Sequence, residues 1–336
     1  TWPGSNPAAK PIVVSAHMDV VEARPEDWER DPFTPVVENG YLYGRGSSDT
    51  KFDAVLAAVS LIELRRQGFR PRRPIIIAYS GDEETTMKTS RIIAERLKHA
   101  ELVLNVDGAS GTLAEDTGKP LYWTWQGAEK TYNDYKLEVT NPGGHSSAPR
   151  PDNAIVQMAR ALDRIGTYRF KAEQNDITRA YFQKAAALEA DPALAAAMRA
   201  FAANPADDAA LAVLRAHPAT VGKVGTTCVP TMVNGGHAMN ALPQRVTANV
   251  NCRIFPGHSR EEIMAELERV AADPAIRFSD ATGEDSRASP ASPMRPDFLR
   301  AVERAVGAAW GRDVPIFPSQ SSGASDSMWY RALGVP

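Results

Sequence analysis

Histidine and carboxylate side chains follow three apolar stretches of this sequence, in spacings that favour metal binding or acid–base chemistry. His17 and Asp19 are two residues apart, so in an extended chain both side chains point to the same side. Glu83 and Glu84 follow the second apolar stretch, and Asp107 follows the third. A histidine beside a carboxylate is a good metal or acid–base arrangement. Adjacent carboxylates raise one another's pKa unless a cation lies among them.

Each of these groups also fits a plainer structural role. His17 is compatible with a hydrogen-bonded histidine of the core or surface, and residues 82–84 with a solvated acidic turn. The glycine-rich segment 44–51 lacks the spacing of a phosphate-binding loop or a dinucleotide fingerprint. Its glycines favour a sharp turn that presents Asp49, and capping of the following helix is the alternative role for that residue.

The elements that position these side chains alternate between strand and helix. Hydrophobic patterning predicts strands over 11–16, 74–80 and 101–106, with helices over 50–67 and 89–98. This order predicts an α/β fold with a mixed, largely parallel sheet flanked by helices. Ligands bind at the carboxyl edge of such sheets. We therefore expect one edge to gather four donors: His17, Asp49, Glu84 and Asp107.

The expected donor set is made of nitrogen and oxygen atoms without thiolate. Such a set suits zinc or a similar divalent ion, and a bridging carboxylate can hold two ions about 3.5–4 Å apart. The sequence therefore predicts a dinuclear metal site.

After residue 127 the pattern changes. Residues 133–140 and 246–254 alternate between apolar and polar, which is typical of an antiparallel sheet with one solvated face. We interpret 128–255 as an inserted α+β domain and residues 1–127 with 256–336 as one discontinuous domain. Further helices are predicted over 152–164, 178–216, 260–272 (with a capping box of Ser259 and Glu262) and 297–310.

The composition excludes several classes of protein. The 336 residues are 43% apolar and carry a net charge of −3, which argues against electrostatic nucleic-acid binding and a polybasic membrane surface. Two cysteines, Cys228 and Cys252, cannot build a disulfide scaffold, and we expect two buried thiols in strands. The chain opens at Thr1 almost directly into a strand, so we expect residues upstream, and the compartment, cytoplasmic or periplasmic, stays open.

Five segments together resemble the co-catalytic zinc peptidases and amidases, which include glutamate carboxypeptidase, aminoacylase, succinyl-diaminopimelate desuccinylase and acetylornithine deacetylase. The resemblance covers nearly the whole chain and rests on residues 15–21 (SAHMDVV), 31–33 (DPF), 43–51 (YGRGSSDTK), 80–84 (SGDEE) and 143–149 (GGHSSAP).

The resemblance implies roles for the metal donors. His17 and Asp107 would bind one zinc ion, Glu84 the other, and Asp49 would bridge them, with a cis bond between Asp49 and Thr50. It also implies a catalytic zinc-hydrolase domain and an inserted dimerisation, or lid, domain.

The resemblance implies further roles for residues around the metals. Asp19 would orient His17, and Glu83 would be the general base. His145 would reach the active site of a second subunit and stabilise the oxyanion. The substrate carboxylate would be held by Asn240, Arg253 and the loop of Gly323, Ala324 and Ser325.

One departure concerns the last histidine ligand of the family, which lies beyond the segment matching 334–336, where this chain ends. His217, His237 and His258 do not match its position. We expect either that the sequence is incomplete or that the protein is a weakly active relative.

The sequence thus predicts a zinc-dependent hydrolase that cleaves an amide or peptide bond next to a free carboxylate. We expect a homodimeric carboxypeptidase or dipeptidase that acts on peptides, and no nucleic-acid or membrane partner. A deacylase of N-acyl amino acids is the alternative. A non-catalytic protein that binds small carboxylates is the alternative from another class.

Overall fold

The computed structural model describes residues 1–108 and 111–336. Its strands are β1 (Ile12–His17), β2 (Val36–Glu38), β3 (Tyr41–Tyr43), β4 (Ile75–Ser80), β5 (Leu102–Asn105), β6 (Gly111–Leu113), β7 (Pro120–Glu129), β8 (Thr131–Thr140), β9 (Gly144–His145), β10 (Thr227–Gly235), β11 (Ala241–Leu242), β12 (Arg245–Ile254), β13 (Ile276–Asp280) and β14 (Ile316–Ser321).

Its α-helices are α1 (Lys51–Arg66), α2 (Lys88–Leu97), α3 (Ala154–Thr167), α4 (Asp176–Ala185), α5 (Pro192–Ala203), α6 (Asp208–Ala216), α7 (Pro218–Val221), α8 (Arg260–Ala271), α9 (Pro296–Trp310) and α10 (Ser327–Ala332). Across the described residues, none of these helices has the length and apolar character needed to cross a membrane.

The chain divides into two compact units, which we call unit 1 and unit 2. Unit 1 comprises Thr1–Gln126, Arg295–Val314 and Ala324–Pro336. Unit 2 comprises Gly127–Met294 and Pro315–Gly323.

Unit 1 contains a parallel sheet in the order β4-β1-β5. The predicted strands and helices of residues 11–106 are all present, which confirms the α/β pattern. The core of unit 1 includes Val13 of β1, Ala78 of β4, Ala94 of α2 and Met328 of α10. Because β1 lies in the middle, its carboxyl end is flanked by those of the other two strands.

Helix α1 forms where the three-to-four residue spacing predicts it, and Gly68 follows with a positive φ of 80°. Its apolar residues do not form the core, however. Phe52, Val55 and Val59 are exposed, whereas Ala54 is buried. The periodicity therefore identified the helix but not the face that packs.

Unit 2 contains an antiparallel sheet in the order β10-β12-β8-β13. The alternation of β8 buries Tyr135, Leu137 and Val139, and α3 and α8 contribute to the same core. This confirms the antiparallel interpretation of residues 133–140 and 246–254.

The alanine-rich segment 178–216 is helical, as predicted, and it forms three helices. Asn175, Asp191 and Asp207 cap α4, α5 and α6, because each side chain accepts a hydrogen bond from a backbone N–H of the first turn. These helices bury a separate cluster around Phe182, Phe201 and Leu214, and α4 packs on β14.

Residues 256–294, which we had assigned to the discontinuous domain, lie in unit 2. Helix α8 packs on α3, and β13 pairs with β8 as an edge strand of the antiparallel sheet. The predicted capping box of α8 is present, since the side chains of Ser259 and Glu262 bond each other's backbone N–H.

The expectation of two free thiols is wrong. Cys228 of β10 and Cys252 of β12 lie opposite each other in the antiparallel pair and form a disulfide. The two cysteines are 24 residues apart in the sequence, so their spacing alone did not predict that they lie side by side.

Candidate active site

The carboxyl end of β1 brings His17 next to the acidic turn after β4. His17 pairs in register with Ser80, and the backbone N–H of Met18 donates to the carbonyl oxygen of Ser80 at 2.9 Å. Parallel pairing thus places the imidazole beside residues 81–84. His17 is buried, with 1% of its surface exposed.

The carboxylate of Asp19 joins the ends of β1 and β4. Its two oxygens accept hydrogen bonds from the backbone N–H groups of Glu83, at 3.1 Å, and Glu84, at 2.9 Å. Nδ1 of His17 lies 3.1 Å from the carbonyl oxygen of Asp19 and donates to it. This donation orients the ring and leaves Nε2 as the nitrogen able to bind a ligand.

Asp49 completes a group of three potential ligands. The Asp49–Thr50 peptide bond is cis, as the resemblance implied. One carboxylate oxygen of Asp49 lies 3.0 Å from Nε2 of His17. His17, Asp49 and Glu84 each offer a ligand atom, and these atoms all lie within 4.8 Å of one another. They form a candidate metal site.

The buried acids around this group have strongly shifted pKa values. Burial, followed by the charges of Asp107 and Asp326, raises the pKa of Glu83 to about 9. Burial raises the pKa of Asp107 to about 6, although the His17 charge opposes it. Burial and the charge of Asp49 also raise the pKa of Glu84.

The acidic surroundings of His17 raise its pKa. Burial alone would lower its pKa, but the charges of Asp107 and Asp49 and the hydrogen bond to Asp49 outweigh burial and raise it. Asp107 lies outside the three-ligand group but acts on both His17 and Glu83 through its charge. We call the group formed by these residues the acidic centre; its members are His17, Asp19, Asp49, Glu83, Glu84 and Asp107.

The donor chemistry of the acidic centre fits a divalent cation. One imidazole and several carboxylates converge, and burial and neighbouring acids raise the pKa values of Glu83, Glu84 and Asp107. Oxygen and nitrogen donors without thiolate are typical ligands of zinc and similar ions.

The loop after β14 is anchored near β5. The side-chain amide of Asn105, the last residue of β5, donates to the hydroxyl oxygens of Ser325, at 3.4 Å, and Ser327, at 3.1 Å. Ser80 donates to the carboxylate of Asp326 at 2.5 Å. Sequence reasoning did not single out Asp326, whose charge acts on Glu83.

In unit 2, His145 lies on β9, and Asn240 directly precedes the strand β11 that pairs with it. β9 pairs with β11, so His145 lies opposite Ala241, and the backbone N–H of Ser146 donates to the carbonyl oxygen of Asn240 at 2.9 Å. His145 is exposed, and its Nδ1 lies 2.8 Å from the hydroxyl oxygen of Ser147. The structure therefore brings His145 and Asn240 together.

Arg253 lies near the end of β12. Its guanidinium carbon lies 4.6 Å from the centroid of the Tyr132 ring, and its Nη1 donates to the carbonyl oxygen of Ser322 at 3.1 Å. This places Arg253 against the segment that leads into Gly323, whose own N–H donates to Ser321 Oγ at 2.9 Å.

The parallel sheet with histidine and carboxylate donors at its carboxyl edge is an α/β fold with a candidate metal site. The chain belongs to peptidase family M20/M25/M40, whose model matches residues 13–336.

Two curated relatives and one solved structure illustrate the similarity. The chain is 30% identical, over 295 residues, to the mouse (Mus musculus) "N-fatty-acyl-amino acid synthase/hydrolase PM20D1", covering 83% of this chain and 56% of that protein. It is 28% identical, over 288 residues, to the "Probable carboxypeptidase S-like 2" of Dictyostelium discoideum, covering 83% and 54%. The chain thus spans about half the length of these relatives.

The fold is similar to that of the M20 family metallo-carboxypeptidase Sso-CP2 from Sulfolobus solfataricus. The TM-score is 0.68 at 19% identity, with 99% of this chain and 76% of that chain covered. This likeness confirms the fold.

Proposed function

We propose that the protein is a metal-dependent hydrolase that cleaves an amide or peptide bond next to a free carboxylate, as a carboxypeptidase or dipeptidase. The observation that carries the proposal is the convergence of His17, Asp49 and Glu84 within 4.8 Å, with Glu83 buried beside them. Such a concentration of acids with one imidazole is stable when divalent cations lie among them.

His17, Asp49, Glu84 and Asp107 are the residues that would hold zinc, with two ions per subunit as the family resemblance implies. Bound zinc would lower the pKa of water towards about 7 and polarise the scissile carbonyl.

Glu83 is the proposed general base. Its carboxylate would accept a proton from the attacking water and pass it to the leaving nitrogen. Its backbone N–H is fixed by Asp19, which also holds His17 through its carbonyl oxygen. Partial burial of Glu83 strengthens its electrostatic interactions with the acids around it.

The substrate carboxylate is assigned to the loop after β14 and to unit 2. Arg253 provides a planar fork suited to a carboxylate, with Asn240 as a further contact. The loop of Gly323, Ala324 and Ser325 would be a further contact of the carboxylate, as the family resemblance implies.

We assign His145 to the oxyanion of a second subunit, and we expect a homodimer formed through unit 2. Its exposure supports a role at a neighbouring molecule. If so, a mixture of Glu83→Gln and His145→Ala chains regains activity that neither variant has alone, because mixed dimers contain one intact site. Absence of complementation, with full activity in a monomer by light scattering, would remove this role.

A deacylase of N-acyl amino acids is the second candidate. The similarity to the mouse N-fatty-acyl-amino acid synthase/hydrolase supports it. Both reactions need the same metals, base and carboxylate site. Turnover of a panel of dipeptides and N-acyl amino acids separates them.

The decisive experiment replaces Glu83 by Gln in the metal-loaded chain. We expect kcat to fall by about 10²–10⁴-fold, because the base is lost, while metal content and circular dichroism stay unchanged. Glu303→Gln, at an exposed position of α9, is the matched control and should retain full turnover. Unchanged turnover in Glu83→Gln would instead support a carboxylate-binding protein without catalysis.

A further inference from the structure

Unit 2 contains a second group of like charges, and these are cations. The three consecutive carbonyl oxygens of residues 320–322, at the end of β14, each accept a hydrogen bond. In chain order the donors are Lys223 Nζ at 3.0 Å, the backbone N–H of Lys130 at 3.0 Å and Arg253 Nη1 at 3.1 Å. We call Lys130, Lys223 and Arg253 the basic niche.

Lys130 is the innermost member of the basic niche. It is 0% exposed, and its ammonium donates to the hydroxyl oxygen of Thr227 at 2.9 Å. Burial, with the charges of Arg253 and Lys223, lowers its pKa to about 7. A hydroxyl or carbonyl partner satisfies a hydrogen bond but does not neutralise a charge, and buried charges in proteins are normally paired with opposite ones.

Asp134 acts on this group without balancing it. The charge of Asp134 acts on Arg253, but its oxygens accept hydrogen bonds from Tyr132, Asn249 and Asn251. Lys223 and Arg253, with Lys130 when it is protonated, therefore outnumber Asp134, which leaves the niche with an excess of positive charge.

Lys223 and Arg253 remain reachable and ordered. Both are partly exposed, and each lies over an aromatic ring, Tyr181 at 4.8 Å and Tyr132 at 4.6 Å. An ammonium has three donors and a guanidinium five, so both keep donors free after bonding one carbonyl oxygen.

We propose that Lys223 is a binding residue that shares the substrate carboxylate with Arg253, and that Lys130 is a positioning residue behind them. The ligand is the carboxylate of a small molecule, and it compensates the excess positive charge. This inference rests on the proposed function, which takes the substrate to carry a free carboxylate.

The first test is calorimetry on the metal-loaded full chain carrying Glu83→Gln, with N-acetylglycine as the probe. We expect Lys223→Met to weaken binding by about tenfold or more, since hydrogen bonds to charged groups are stronger than neutral ones. N-acetylglycinamide, which lacks the carboxylate, should bind weakly and equally to both chains. Lys184→Met, at an exposed position of α4, is the control.

The second test addresses Lys130 through proton uptake, measured at pH 7.5 in buffers of different ionisation enthalpy. A bound carboxylate raises the pKa of Lys130, so binding should take up protons. Lys130→Met should abolish the uptake and weaken binding, and Lys130→Arg should restore affinity without uptake. Unchanged uptake in Lys130→Met overturns the positioning role.

These results separate the niche from the proposed function. Unchanged affinity of Lys223→Met for N-acetylglycine refutes the proposed role of the basic niche, even in a chain that hydrolyses peptides. Affinity that depends on Lys223 and on the carboxylate supports the niche, even if the metal-loaded parent chain cleaves no substrate.

Discussion

The acidic centre of unit 1 gathers carboxylates and the basic niche of unit 2 gathers cationic side chains, and each group has one buried residue at its core, His17 and Lys130. In the acidic centre, burial and neighbouring acids raise the pKa of Glu83 to about 9. In the basic niche, burial and neighbouring cations lower the pKa of Lys130 to about 7. In both groups the charged form of one member, Glu83 or Lys130, is disfavoured by burial and by like charges around it.

The two groups differ in how their side chains are held. In the acidic centre, ligand atoms of different elements converge directly on one small volume. In the basic niche, Lys223 and Arg253 are held by backbone carbonyl oxygens. The arrangement in the acidic centre suits a small ion that contacts every ligand atom. The arrangement in the basic niche suits a larger anion, which the two side chains would contact from one side.

The largest expected effect comes from removing a ligand of the acidic centre. Asp49→Asn replaces a charged ligand by a neutral one, so we expect loss of bound metal and a fall in turnover of more than about 100-fold. Metal content by atomic absorption and turnover with added zinc measure this. Asp27→Asn, at an exposed position, should behave like the parent. Full metal content in Asp49→Asn would contradict the assignment.

An intermediate effect is expected on stability, with opposite pH dependences for the two groups. Folded Glu83 keeps its proton up to about pH 9, whereas the unfolded residue loses it near 4.5, so the free energy of unfolding falls across this window. Folded Lys130 loses its proton near pH 7, whereas the unfolded residue keeps it to 10.5, so the free energy of unfolding rises. Each slope reaches at most about 1.4 kcal/mol per pH unit.

Urea unfolding of the metal-free chain between pH 7 and 9 measures these slopes. Relative to the parent, Glu83→Gln should give a more positive slope and Lys130→Met a more negative one. Glu303→Gln and Lys184→Met serve as controls that keep the parent slope. Identical slopes in all five proteins would refute the comparison.

The smallest effect is expected where a cation of unit 2 is already paired. His258 Nε2 lies 2.7 Å from Glu173, and this hydrogen bond raises the pKa of His258 above 6.5. The pair therefore stabilises the fold below pH 6.5, and its contribution is lost as the pH rises through the raised value. Because the pair is partly exposed, His258→Gln should lower the free energy of unfolding by less than about 1 kcal/mol at pH 6 and leave it unchanged at pH 9. The exposed His237→Gln is the control in thermal unfolding, and an equal loss at both pH values would contradict this account.

The acidic centre could be predicted from the sequence because parallel strands carry their carboxyl ends to one edge. His17, Glu84 and Asp107 follow directly after apolar runs, so local patterning located them. Asp49 needed the glycine-rich turn and the family resemblance. In the basic niche, only Arg253 was implied by the resemblance; Lys130 and Lys223 were not predicted, because they are far apart in the chain and no local pattern marks a buried lysine.

Two other features were not predicted for the same reason, since both depend on contacts between distant segments of the chain. The pairing of Cys228 with Cys252 depends on the register between β10 and β12, which a cysteine count does not give. Residues 256–294 lie in unit 2 because β13 pairs with β8, a contact between segments more than 130 residues apart. Alternation predicts that a strand exists, but the pairing partner depends on tertiary packing.

The two backbone N–H groups that donate to Asp19 have a consequence for metal exchange. They tie the turn carrying Glu83 and Glu84 to the strand carrying His17 through bonds that no ion takes part in. Donor spacing is thereby set by the polypeptide itself. We therefore expect the metal-free chain to accept a divalent cation with little rearrangement, whether that cation is zinc, cobalt or manganese.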